Sequence, residues 1–216
     1  QFLIHGERDV VRFDDRWLPM RDFLYRAFCA GKKVIYYDLS QGITWPTEQD
    51  GEDFQRFAGI YARRQGLKAP SIPIDPREAI PMIEEWLVTR ANAVAILDYV
   101  EKFLPQKAAA YLTNDEKRAL ITVRRWAVDP RILAQNNCVF LLTDALAEVN
   151  QEVFESTSRV QVVEVPLPDR AERLRYIQYL LALTAEEFPQ AALGPGEEPR
   201  DISLDMPPEL LAKITN

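Results

Sequence analysis

The chain has 216 residues, of which 47% are hydrophobic and 27% charged, so it is able to fold around a sizeable core. Its net charge of −7 argues against a nucleic-acid-binding or membrane-surface protein, because both kinds of contact depend on Lys and Arg. No apolar run reaches the ~18 residues of a membrane-spanning helix, no signal-peptide pattern is present, and the two cysteines (Cys29 and Cys138) have no CxxC spacing. We therefore predict a cytoplasmic protein with two buried thiols.

The first half of the chain alternates short apolar runs with helical patterns. In chain order, it is predicted to form a strand at 2–5, a helix at 16–31, a strand at 32–45, a helix at 52–66 and, after a Pro-rich connection at 69–76, a helix at 75–91. Gly31 and Gly66 are suited to end the first two helices. Asp75 and Pro76 are suited to begin the third, as its N-cap and its first residue.

The second half continues the same alternation. It is predicted to form a strand at 93–98, helical structure at 113–135 with a break near Asp129-Pro130, strands at 137–144 and 159–168, a helix at 169–188, and a loop with a short helix from about Pro207. Nearly continuous apolar strands that alternate with helices indicate a mainly parallel sheet with helices on each side. The predicted fold class is therefore an α/β three-layer αβα sandwich.

Asp98 follows the strand AVAIL directly, as a magnesium-binding Asp does in P-loop ATPases. Such an Asp requires a GxxxxGKS or GxxxxGKT phosphate loop after the first strand. The segment at that place is GERDVVRFDD, which has one Gly, no Lys and four acids. Gly31-Lys32 follows a helix and precedes a strand, the reverse of the required order. We therefore predict that the chain lacks a phosphate loop (Walker A motif).

Two further side chains are weak candidates for ATPase chemistry. Glu101 stands three residues beyond Asp98 and is Walker B-like, while Tyr99 occupies the place where hydrolysing members usually carry a second acid. Thr143, at the tip of the next strand, is sensor-like. We predict no metal site: Asp98 is expected to cap local backbone amides or to pair with a basic side chain such as Arg124.

A strand followed by Leu-Pro-Asp and an Arg-rich helix, in RVQVVEVPLPDRAERLRYI (159–177), resembles the end of an AAA+ ATPase core. With VAILD and VRRWAVDPRILAQNNCVFLLTD, the resemblance extends over about residues 34–180. A narrower similarity, in YYDLSQGITW, IDPREAI, VAILDYVEKFL, VRRWAVDPR and VPLPDRAERL, is to the N-terminal module of AAA-like proteins first noted as hypothetical chloroplast and cyanobacterial reading frames.

The resemblance implies a P-loop NTPase (AAA+)-like topology and a chain that is part of a longer protein. Residues 1–183 would form the AAA-like core, and residues 184–216 a linker with the start of a helical lid or of a connection to a following domain. Arg159 stands near the place from which active members supply an arginine finger to a neighbouring subunit. A complete AAA+ domain of the same chain is the expected partner, and a homo-oligomer is the other assembly that the resemblance allows.

The expected function is that of a degenerate, non-hydrolysing AAA+-like N-terminal module that serves as scaffold, regulatory or partner-binding domain, with no cofactor of its own. The fragment is then not an enzyme, whereas the full-length protein would be an AAA+ ATPase. The alternative is an AAA+ core with a divergent phosphate loop, which binds or hydrolyses Mg-ATP. An α/β protein of another class is the third reading, although the sequence contains no GxSxG motif and no His/Cys cluster with metal-ligand spacing.

Overall fold

The computed structural model describes residues 1–6, 10–14, 16–155 and 159–182, with side chains through residue 180. The chain divides into two compact units, the first being Gln1–Val165 and the second beginning at Pro166. The boundary expected between residues 183 and 184 falls at the end of the described residues and stays a prediction. The short helix expected from Pro207 lies outside them.

The described residues form eight strands and six α-helices. The strands are β1 (Phe2–Gly6), β2 (Val11–Phe13), β3 (Arg16–Leu18), β4 (Lys33–Asp38), β5 (Gly42–Thr44), β6 (Ala93–Leu97), β7 (Cys138–Thr143) and β8 (Gln161–Val165). The helices are α1 (Met20–Phe28), α2 (Glu48–Arg64), α3 (Pro76–Thr89), α4 (Asn114–Trp126), α5 (Pro130–Leu133) and α6 (Arg170–Ala182). Within these residues, no helix combines the length and the apolar character needed to cross a bilayer.

Six strands form one sheet in the spatial order β5–β4–β6–β7–β1–β8. All neighbours are parallel except β5, which returns antiparallel to β4 and forms one edge. β1, the first strand in the chain, therefore lies between β7 and β8, the last two strands in the chain. The mainly parallel sheet predicted from the sequence is confirmed.

Alternate side chains of the strands belong to two separate apolar cores, one on each face of the sheet. Val34 and Val94 pack with Met20 and Leu24 of α1, whereas Ile35 belongs to the core on the other face. That second core is the larger one and contains the buried sides of α2, α3 and α4. Because successive side chains of a strand point to opposite faces, one apolar strand serves both cores. The resulting layers are those of the predicted three-layer sandwich.

Local capping explains where the helices begin. Asp75 accepts a 2.8 Å hydrogen bond from the amide of Arg77, so α3 begins at Pro76 as predicted. Asp129 accepts one of 2.9 Å from the amide of Arg131, so α5 begins after the break that was predicted near Asp129-Pro130. Thr113 and Glu116 form a capping box at the start of α4. Asp169 accepts a hydrogen bond from the amide of Glu172 at the start of α6.

The region before α1 was predicted wrongly. Residues 16–18 form strand β3, which pairs with β2 in a hairpin, whereas the sequence pattern favoured a helix from residue 16. Pro19 explains the difference, because a proline disfavours helical geometry at the residue before it and has no amide to continue a helix. The helix therefore begins only at Met20. Helix α2 also begins earlier than expected, at Glu48, since Thr47 accepts a hydrogen bond from the amide of Asp50.

The two cysteines have different environments. Cys29 is buried, and burial raises the pKa of its thiol to about 11. Cys138, at the start of β7, is only half-buried, so the prediction of two buried thiols holds fully for Cys29 alone. Burial also raises the pKa of the Cys138 thiol, so both side chains are expected to remain protonated at neutral pH.

Candidate functional site

A polar cavity of about 310 Å³ lies where β4 and β6 end beside the first turn of α1. In open α/β sheets, ligands bind at this carboxyl edge of the strands. The cavity is therefore the candidate functional site. The residues that line it are Pro19, Met20, Arg21, Asp38, Ser40, Gln41, Asp98 and Tyr99.

Asp38, the last residue of β4, closes a tight turn at the cavity wall. Its Oδ1 accepts hydrogen bonds from the amide and hydroxyl of Ser40, each at 2.7 Å, and from the amide of Gln41 at 2.8 Å. Burial by itself would raise the pKa of Asp38, but these hydrogen bonds and the nearby Arg21 outweigh it and lower that pKa below its usual value. The carboxylate is thus held charged and is committed to shaping the turn.

Arg21 supplies the positive charge of the cavity. Its Nη1 lies 4.0 Å from Oδ2 of Asp38, and its guanidinium lies 5.3 Å from the ring centroid of Tyr36. The Tyr36 hydroxyl in turn donates to Asp22, at 3.3 Å. These contacts hold the guanidinium against the sheet at the start of α1, where a cation opposes the positive end of the helix dipole.

Asp98 directly follows β6, as the sequence predicts. Its backbone amide donates to the carbonyl of Tyr37 at 2.8 Å, and its carboxylate accepts a 2.9 Å hydrogen bond from the amide of Tyr99. Asp98 was expected either to cap local backbone amides or to pair with a basic side chain, and the bond to Tyr99 is a contact of the first kind. Arg124, the partner expected in the other, donates to Glu152. Among the described residues, no three His, Cys, Asp or Glu side chains come together as metal ligands would.

Glu101 and Thr143 contact each other directly. Tyr99 adopts a left-handed conformation with φ of 53°, which turns the chain into a short 3-10 helix at Val100–Lys102 and directs Glu101 inward. There, Glu101 is 4% exposed and accepts a 2.8 Å hydrogen bond from the Thr143 hydroxyl. Its other oxygen lies 3.3 Å from Nζ of Lys102, as an ion pair without hydrogen-bond alignment. Among the described residues, the lining of the polar cavity includes neither Glu101 nor Thr143.

The connection from β1 to α1 contains the β2–β3 hairpin at the place where a phosphate loop would run. β1 ends at Gly6, whose φ is 105°. Pro19 is the N-cap residue of α1, and its side chain has no hydrogen-bond acceptor to cap the helix. Asp14 lies in the hairpin turn with φ of 46°. The other three acids of the segment GERDVVRFDD, namely Glu7, Asp9 and Asp15, lie outside the described residues.

Arg159 lies apart from the other three candidates. It is exposed and precedes β8, so it stands at the amino edge of the parallel sheet, whereas Asp98, Glu101 and Thr143 stand at or beyond the carboxyl edge. Its expected role as an arginine finger for a neighbouring subunit stays a prediction.

Sequence reasoning did not single out Arg21 and Asp38. A strand that ends in Asp with Ser two residues later is typical of an Asx turn, and this was the available signal for Asp38. Nothing local marks Arg21, since its role follows from the packing of α1 beside the end of β4. In the polar cavity, the structure therefore brings Asp98 together with Arg21 and Asp38. The described residues of its lining include none of the other three candidates that the sequence nominated.

Comparison with known proteins places the first unit of the chain in a family. A family model described as "AAA+ chaperone, N-terminal Rossmann-like domain" matches residues 1–166. The match thus ends one residue beyond Val165, where the first compact unit ends. No curated protein matches the chain.

Proposed function

The chain belongs to the family of AAA+ chaperone N-terminal Rossmann-like domains, and we propose that this N-terminal module does not hydrolyse ATP but serves its larger AAA+ protein as a scaffold, regulatory or partner-binding domain. An AAA+ domain of the same protein is the proposed partner. The module would act through its surfaces, in the cytoplasm, without a nucleotide of its own.

The observation that carries this proposal is the hydrogen bond between Thr143 and Glu101. In a hydrolysing site, the acid would orient an attacking water and the threonine would contact the γ-phosphate. Here the Thr143 hydroxyl donates to Glu101 in the protein interior, and Thr143 is 0% exposed. A buried pair of this kind has a structural role, because it holds the 3-10 helix that contains Glu101 against the end of β7.

The side chains at the carboxyl edge also fit Mg-ATP poorly. Among its described lining residues, the polar cavity has the two carboxylates of Asp38 and Asp98 and the guanidinium of Arg21, a formal charge of −1. Phosphate groups require the opposite sign and a set of convergent backbone amides. The segment between β1 and α1 has no glycine after Gly6 and no lysine, and its three arginines are outnumbered by four acids.

In the alternative function, Mg-ATP would bind through a divergent loop, with Asp98 and the polar cavity beside it as the binding site. Isothermal titration of the chain with Mg-ATP and with ADP, at millimolar ligand, separates the two functions. We expect neither heat of binding nor a rise in melting temperature, and the same null result for Asp98→Ala. Micromolar binding that disappears in Asp98→Ala would overturn the proposal and establish a nucleotide site.

A further inference from the structure

An apolar cavity of about 580 Å³ lies on the face of the sheet that carries α1. Side chains of α1, β1, β7 and β8 form its walls, and all of them belong to the first unit. Clefts that bind small molecules have volumes of about 300–1,000 Å³ and mostly apolar walls with a few polar groups. The principal wall residues are Ile4, Leu24, Phe28, Phe140 and Val165.

The polar part of the lining consists of Lys32, Asn136 and Asn137. The Lys32 ammonium donates a 2.8 Å hydrogen bond to the carbonyl of Asn136, which holds the charge at this part of the wall. An ammonium has three donors, and this bond uses one of them. Among the described residues that line the cavity, Lys32 carries the one formal charge, and no carboxylate accompanies it.

The rim of the cavity is apolar as well. Phe28 is 58% exposed, and Phe2 and Val163 are 37% and 38% exposed, on three different elements around the opening. Covering such apolar surface removes it from water and is favourable by roughly 25 cal/mol per Å². The cavity therefore offers an occupant both an apolar wall and an apolar rim.

We propose that this cavity binds an aliphatic monocarboxylate, with its hydrocarbon chain along the apolar wall and its carboxylate at the Lys32 ammonium. The choice of occupant rests on charge complementarity, because a single cation at the polar part of an otherwise apolar lining matches a ligand with one anionic end. This proposal is independent of the question of nucleotide binding, since Met20 is the one residue that the two cavities share among their described lining residues.

The test uses laurate as the probe and the 216-residue chain as the protein, in isothermal titration below the micelle concentration. We expect one site with a Kd on the order of 10 µM. Lys32→Gln should weaken laurate binding about fivefold, as the loss of a partly exposed ion pair would, and should leave the binding of dodecanol unchanged. Lys33→Gln is the matched control, because it removes the neighbouring charge from a side chain outside the cavity lining, and it should bind laurate as the parent does.

A second variant tests the apolar part of the cavity. Val163→Glu places a carboxylate at the exposed rim on β8, where it should weaken laurate binding without unfolding the chain, which circular dichroism and the melting temperature would verify. The proposal is wrong if laurate does not bind at a hundred times the expected Kd, or if Lys32→Gln and Lys33→Gln weaken it equally. It is also wrong if sedimentation shows that a second copy of the chain occupies the cavity, or if acidic helical peptides bind there and laurate fails to displace them.

Discussion

The hydroxyl of Thr143, at the carboxyl end of β7, donates a 2.8 Å hydrogen bond to the buried carboxylate of Glu101, which lies just beyond the end of β6. The two residues are 42 positions apart in the chain, so this bond joins two neighbouring strand ends. It gives two candidate catalytic side chains a structural role, and the first prediction tests that role.

Replacing Thr143 by Val should lower the free energy of unfolding by about 1–3 kcal/mol, because it removes the hydrogen-bond donor to a buried carboxylate. Thr143→Ser keeps the hydroxyl and loses one methyl group, so it should cost only about 1 kcal/mol. Urea unfolding of the parent and both variants provides the measurement. Equal stability of the Val and Ser variants would show that the bond contributes little.

Gly6 should tolerate alanine poorly, because its φ is +105° and an added Cβ would lie 2.1 Å from the carbonyl oxygen of Val165 in the paired strand β8. Gly31 is a matched control, since its φ is +71° but an added Cβ meets nothing within 4 Å. Gly31→Ala should therefore cost about 1 kcal/mol for backbone strain alone.

Gly6→Ala should add a steric cost of about 1–3 kcal/mol to that strain. Thermal unfolding of both variants, followed by circular dichroism, compares them directly. If the two substitutions cost the same, the close approach of β8 to Gly6 contributes nothing, and the strand pairing at this point would need revision.

Asp50 should stabilise the start of β4, because its carboxylate accepts a 2.9 Å hydrogen bond from the buried amide of Val34. β5 pairs only with the end of β4, so α2 supplies this acceptor in place of an edge strand. Asp50→Ala should cost about 2 kcal/mol, since it leaves the amide without its acceptor.

The control for Asp50 is Asp53→Ala on the same helix, where the acid makes a surface ion pair with Arg56 at 3.6 Å. A pair of this kind contributes little, so the control should change the free energy of unfolding by less than about 1 kcal/mol. Denaturant unfolding measures both. A larger loss in Asp53→Ala than in Asp50→Ala would contradict the structural role assigned to Asp50.

Asp129 should make stability depend on pH. Hydrogen bonds from the Arg131 side chain, together with the amide of Arg131, lower the pKa of this carboxyl, although burial opposes them. A carboxyl whose folded-state pKa lies below its unfolded value stabilises the fold above the unfolded value and loses that contribution as pH falls through the folded one.

Asp129→Asn should therefore be less stable than the parent at pH 7, by roughly 1 kcal/mol, because the amide can cap the helix but cannot form the ion pair. The difference should shrink as pH falls below about 4, the unperturbed range of Asp. Urea unfolding at a series of pH values tests this. A difference that stays constant across the series would mean that charge at Asp129 does not matter.

Local sequence signals were sufficient for most elements of the fold. The apolar strands, the helix start at Asp75-Pro76 and the break near Asp129-Pro130 were predicted because each depends on residues within a few positions of one another. The helix expected from residue 16 is wrong for a local reason too, since Pro19 disfavours helical geometry at the residue before it. The contact between Glu101 and Thr143 could not be predicted from local signals, because the two residues are 42 positions apart in the chain.

Local sequence patterns are enough to predict the α/β class, the alternation of strands and helices, and the position of Asp98 at the end of a buried strand. The order of the strands, the pairing of Glu101 with Thr143, and the placement of Arg21 beside Asp38 became known from the three-dimensional fold. Periodicity and capping act over a few residues, whereas these contacts form between segments that meet when the sheet assembles.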